Sequence, residues 1–119
     1  MLNDYLACAL WSSIGEDDTP LDKDYSVDDI SEETRIQSNT DILSAIALAD
    51  NACRDWREFW TDAQFAHDLW LTRCGHGTGF WDRYSSGRGS EIGEALTGIA
   101  KNFGNVDLYV GDDNLIYSI

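Results

Sequence analysis

Apolar residues first recur at helical spacing near the amino terminus, where Leu2, Tyr5, Leu6, Ala9 and Leu10 fall at i, i+3, i+4, i+7 and i+8. This pattern predicts a short amphipathic helix over 2–12, with Trp11 at its edge and Ser12-Ser13-Ile14-Gly15 ending it. A polar, acidic loop follows around Pro20. Ser26 and Asp29 have capping-box spacing for one helical turn, and Ser31 is placed to cap a longer helix whose first turn carries Glu32 and Glu33. Within that helix Ile42, Ile46, Ala49, Cys53, Trp56 and Trp60 step by four, three, four, three and four, which predicts one continuous buried stripe. The same pattern could seed a coiled coil but spans too few heptads for one.

Thr61 and Gln64 again have capping-box spacing and predict a short helical turn. Beyond it, Leu69 and Leu71 on one side and Phe80 and Asp82 on the other flank Gly75-His76-Gly77-Thr78-Gly79, which reads as a β-hairpin with a glycine-rich tip. Ser90 is placed to cap a last helix with Ile92, Leu96, Ile99, Ala100 and Phe103 on its apolar face, ending at Gly104. The tail alternates on both sides of Gly111-Asp112-Asp113-Asn114 and predicts a second hairpin. The expected architecture is therefore α+β: amino-terminal helices packed with two β-hairpins that flank a carboxy-terminal helix, the strands forming one small antiparallel sheet.

Length and composition add limits to this picture. A chain of 119 residues with 43% hydrophobic content, 5 Trp, 5 Tyr and 4 Phe suits one domain over 1–119 with a single core. A lone proline, Pro20, and no Gly/Ser-rich stretch leave no linker between folding units. Ile42 to Ala49 is far short of the ~20 apolar residues that span a bilayer, and Met1-Leu2-Asn3-Asp4-Tyr5 lacks a basic region of the secretory type. Cys8, Cys53 and Cys74 are odd in number with no CxxC pair, so reduced thiols and a cytoplasmic location are expected.

Charge changes the functional picture most. With 22 acidic and 8 basic residues the formal charge is −14, and residues 1–50 hold twelve of the acids against only Lys23 and Arg35. Direct nucleic-acid binding is disfavoured, because phosphate contacts draw affinity from lysine and arginine. A basic partner is favoured. The densest stretch runs from Glu16 to Glu33 through Asp17, Asp18, Asp22, Asp24, Asp28 and Asp29, nine carboxylates against one lysine in eighteen residues. It reads either as a solvated loop that maintains solubility or as a carboxylate array imitating nucleic-acid phosphates in a basic groove. The tryptophans outnumber what a core of this size needs, and Trp11 is the candidate apolar anchor beside the array.

A second candidate site is the hairpin with His67, Arg73, His76, Asp82 and Arg83. Cys74 and His76 could form a thiolate pair only with a geometry that i, i+2 spacing on a glycine loop does not supply. His67, His76 and Asp82 are chemically suited to zinc or iron, yet their spacing matches no ligand signature. Arg73, Asp82 and Arg83 are expected to form ion pairs across the hairpin. Gly75-x-Gly77-x-Gly79 lacks a phosphate loop's lysine, Gly87-x-Gly89 is a weak anion-binding candidate, and Asp112-Asp113-Asn114 is read as a turn. No residue is assigned as catalytic or metal-binding, and no cofactor is implied.

The stretch His67-Asp68-Leu69-Trp70-Leu71-Thr72-Arg73-Cys74-Gly75-His76-Gly77-Thr78-Gly79-Phe80-Trp81-Asp82-Arg83, with the tail from Asp107 to Asp113, resembles a family of small acidic proteins encoded by tailed bacteriophages. Leu10-Trp11-Ser12-Ser13 and Pro20-Leu21-Asp22 resemble that family's amino-terminal part. Cys74 departs from the asparagine of the family pattern, which argues against a thiol nucleophile. The resemblance implies an accessory protein acting in the cytoplasm of an infected bacterium. By class and charge, this suggests a non-enzymatic inhibitor of a host defence, of anti-CRISPR or anti-restriction type, occupying the basic surface of a nucleic-acid-binding protein. A small metal- or histidine-dependent enzyme centred on the hairpin, or a virion accessory protein, are the alternatives, and a homodimer is left open.

Overall fold

The structure is a computed structural model and describes residues 1–15 and 17–119. Four helices and one two-stranded antiparallel sheet make a small α+β fold. They are α1 (Leu2–Ser12), α2 (Glu32–Ala52), α3 (Asp62–Arg73), α4 (Gly87–Asn102), β1 (Leu108–Val110) and β2 (Ile116–Ser118). Single 3₁₀ turns at Leu21–Lys23, Val27–Asp29, Trp56–Glu58 and Phe80–Asp82 join them. No helix among the described residues is long and apolar enough to cross a membrane.

Local capping signals do what their spacing predicts. Ser26 and Asp29 form a reciprocal capping box, with the Ser26 N–H donating to Asp29 Oδ2 at 2.8 Å. Ser31 Oγ accepts from the Thr34 N–H and opens α2, while the Ser31 N–H donates to the Ile116 carbonyl and so docks the helix start on β2. Thr61 and Gln64 also cap reciprocally, but the helix they open runs twelve residues rather than one turn. At the other end α4 begins at Gly87, three residues before Ser90.

The expected first hairpin is absent among the described residues, and its first half is α3 instead. This helix lies between α1 and α4, and from Phe65 to Arg73 every residue but the half-buried His67 is buried. A helix covered on all sides has no polar face, so its sequence shows no 3.6-residue period, and the Leu69/Leu71 alternation imitates a strand. The glycine tip is this helix's end. Gly75 takes φ +69 while its N–H donates to the Thr72 carbonyl and the His76 N–H to that of Leu71, the paired bonds of a Schellman cap. The second half folds back on α3: the Phe80 N–H donates to Thr72 Oγ1, and Phe80 packs against Trp60 and Phe65. A Cβ on Gly79 would lie 2.0 Å from Thr72 Oγ1, so only glycine permits the approach.

The tail is the predicted hairpin, Leu108, Tyr109 and Val110 opposing Ser118, Tyr117 and Ile116 around the Gly111–Asn114 turn. The stripe expected through Trp60 is interrupted, because α2 ends at Ala52. Cys53, Trp56 and Trp60 nevertheless stay buried: the 3₁₀ turn at Trp56 folds them inward, where they join Tyr5, Leu6, Leu69 and Leu96 in one core. Three tryptophans are buried, leaving Trp11 and Trp81 more than half exposed.

Candidate partner-binding surface

Two sets of the chain's carboxylates contrast. In the first, each aspartate is held by an arginine. Asp68, almost wholly buried on α3, accepts from Arg83 Nε at 2.8 Å and NH2 at 2.9 Å, and from Trp60 Nε1 at 2.8 Å. Asp41 on α2 pairs with the buried Arg73 at 2.8 Å, Asp50 with Arg57, and Asp55 with Arg88 through two bonds. Hydrogen bonds from Trp56 to Asp50 and from Arg88 to Asp55 hold both carboxyls below their ordinary range.

In the second group, between Asp17 and Glu33, none of the eight described carboxylates forms a salt bridge with a described residue. Glu16 lies outside the described residues. Three of the eight serve local structure. Asp17 accepts from the Thr19 N–H and hydroxyl, which lowers its pKa, Asp18 adopts φ +61, and Asp29 belongs to the capping box. Asp22, Asp24, Asp28, Glu32 and Glu33 are exposed and accept no hydrogen bond among the described residues. Lys23 and Arg35 offer little neutralisation, since Arg35 donates instead to the Val27 carbonyl.

Trp11 lies beside this array. Its ring stacks on His67 with centroids 6.2 Å apart and planes 28° from parallel. The two rings line an open groove of about 580 Å³ with Asp4, Asp22, Gln64 and Arg83. The guanidinium of Arg83 is already bound to Asp68 and Asp4 lies 3.5 Å from the amino-terminal ammonium, so Asp22 is the groove carboxylate that pairs with no described cation. Asp4 is a site residue that the sequence reading missed, although Asp4, Ala7, Cys8 and Trp11 share one helix face by their spacing. Asp112 was missed as well. The hairpin turn brings it to a second cleft, of about 520 Å³, with Asp17 and Asp24, a proximity that sequence alone does not reveal.

The residues of the second candidate site are dispersed. Arg73 is buried and ties four elements together: it donates to Tyr5 Oη, Asp41, and the Phe103 and Gly104 carbonyls. Asp82 accepts from Thr78 Oγ1 and the Gly79 N–H, so the expected ion pairs across a hairpin are replaced by Arg73–Asp41 and Arg83–Asp68. His76 sits exposed in the helix cap, whereas His67 turns to Trp11 and lies 3.5 Å from Asp68. Among the described residues no three His, Cys, Asp or Glu side chains gather as a metal site. Burial pushes the Cys8 thiol up to about 12 and raises Cys74 too, the reverse of nucleophile activation.

No family model matches the chain, and no curated protein or solved structure matches it significantly.

Proposed function

We propose that this chain is an acidic interaction protein that occupies the basic, nucleic-acid-binding surface of another protein and blocks it. The observation that carries this reading is the contrast in pairing. Asp41, Asp50, Asp55 and Asp68 are each held by an arginine; Asp22, Asp24, Asp28, Glu32 and Glu33 pair with no described cation and are exposed. Such an array presents the field of a phosphate backbone and steers a basic groove toward it. Beside it the Trp11–His67 groove suits an arginine of the partner, whose planar cation stacks on the indole while Asp22 balances its charge. The resemblance to acidic phage proteins makes a bacterial defence protein, such as a CRISPR effector or restriction enzyme, the target class, met in the infected cell's cytoplasm.

The test uses the full chain as bait in bacterial lysate, followed by competition with duplex DNA on each captured protein. Capture of a nucleic-acid-binding protein that salt releases and DNA displaces supports the reading. Partners that ignore both salt and DNA would overturn it.

A further inference from the structure

On a protein of charge −14, the seventeen residues of α2 from Ile36 to Ala52 hold only two charged side chains, Asp41 and Asp50, each paired with an arginine. Between Ile36 and Ala52 ten positions are exposed, and every one is uncharged. Asp41 turns to Arg73, and Asp50, its side chain 47% exposed, is held by Trp56 and Arg57. Along the centre of the face Ile36, Thr40, Leu43 and Ala47 step by four, three and four, the spacing of a helix-pairing seam, and Leu48 flanks it. Ile36 and Leu43 are 60% and 58% exposed, with no element among the described residues covering them.

We propose that α2 is a homodimer interface in which two copies pair antiparallel across a two-fold axis at Leu43. Charge selects this occupant and this direction. Two strongly acidic copies repel wherever carboxylates face each other, so the uncharged face is where they can meet. Its two ends carry opposite signs, with Glu32 and Glu33 exposed at the start of α2 and the exposed Arg54 just past its end. Glu32 lies eleven residues before Leu43 and Arg54 eleven after it. At 1.5 Å per helical residue Glu32 is about 16 Å from the axis, and Arg54 follows Cys53, the C-cap of α2, at the opposite end. Antiparallel pairing therefore brings each copy's glutamates level with its partner's Arg54, an isologous arrangement, whereas parallel pairing sets glutamate against glutamate. Leu43 then meets its own equivalent, and Ile36 lies level with Asp50 of the second copy, whose carboxyl Trp56 and Arg57 already hold. This surface is separate from the Trp11 groove, so the dimer stands or falls independently of the proposed function.

Sedimentation equilibrium of the full chain over about a hundredfold range of concentration tests it. The mass should rise from 13.3 kDa toward twice that value. Leu43→Glu, which alters an exposed position and places two carboxylates on the axis, should remain at the monomer mass throughout. A wild-type chain that is monomeric at every concentration overturns the proposal, and so does a Leu43→Glu variant that still dimerises. Direction is read by oxidative cross-linking with the wild-type chain as control: Leu43→Cys should form a disulfide-linked dimer and Ile36→Cys should not. Equal cross-linking at both positions means a parallel pair and contradicts the antiparallel assignment. As a check that spares the apolar face, Arg54→Glu should weaken the dimer and Glu32→Arg with Arg54→Glu should restore it.

Discussion

Asp68 and Asp22 carry the same side chain in opposite circumstances. Asp68 lies inside the protein with Arg83, Trp60 and His67 around it; Asp22 stands at the rim of a groove and forms no salt bridge with a described residue. Removing the first leaves a guanidinium and an indole N–H without their acceptor, whereas removing the second takes away only a charge that water already solvates. The difference teaches that net charge is a poor guide to function until the paired carboxylates are set aside. Eight of those that remain lie within the seventeen residues from Asp17 to Glu33.

The largest effect that would sharpen this contrast is expected at Asp68. Asp68→Ala should cost ~3–5 kcal/mol in urea unfolding, the penalty for stranding a buried charge partner. A loss below ~1 kcal/mol would place Asp68 with the surface carboxylates. Next, Gly79→Ala should destabilise by ~2 kcal/mol or more, since the Cβ meets Thr72 Oγ1 at a φ of +149. Its effect should persist in a Thr72→Ser background, because the obstacle is the hydroxyl oxygen that serine keeps.

Two pH effects follow from the same division. Cys8 is held protonated by burial, with its pKa raised from 9.0 to about 12, and Tyr5 is raised to about 12. In the unfolded chain these groups ionise at lower pH, so their contribution is fully present below pH 9 and is lost as pH rises toward 12. Melting temperature should therefore fall across that alkaline window, and Cys8→Ala should flatten the decline. At the acid end the lowered pKa values of Asp50 and Asp55 work in the opposite sense. Their contribution is present above the ordinary carboxylate range and disappears as pH falls through the depressed values. Asp50→Asn with Asp55→Asn should reduce the acid sensitivity of the melting temperature.

The smallest stability effect belongs to the free array. Asp22→Lys, Asp24→Lys and Asp28→Lys together should change unfolding free energy by no more than ~0.5 kcal/mol per site, because no described group depends on those carboxylates. Asp17, Asp18 and Asp29 are unsuitable for this purpose, since each also shapes its local turn.

Much of the fold was legible because its signals are local. The capping residues Ser26, Ser31 and Thr61 sit a few positions from the groups they satisfy, and α1 and α4 have one wet and one dry face. The helix α3 was not legible, because burial on every side erases periodicity, and a glycine cluster that ends a helix resembles one that turns a hairpin. The candidate surface was legible in part. The acidic run and Trp11 are visible in sequence; which carboxylates lack an arginine is not, since Asp41 meets Arg73 across 32 residues and Asp68 meets Arg83 across 15. The uncharged face of α2 escaped for a related reason: the stripe through Ile42, Ala49 and Trp56 looked like the helix's apolar side, and only packing reveals a second one opposite.

The most direct test of the central claim is a side-by-side capture from bacterial lysate with the wild-type chain and the Asp22→Lys, Asp24→Lys, Asp28→Lys variant, each at low and high salt. The account predicts a nucleic-acid-binding protein retained by the wild type at low salt, released at high salt, and not retained by the variant. The same protein retained equally by both chains at both salt concentrations would contradict it.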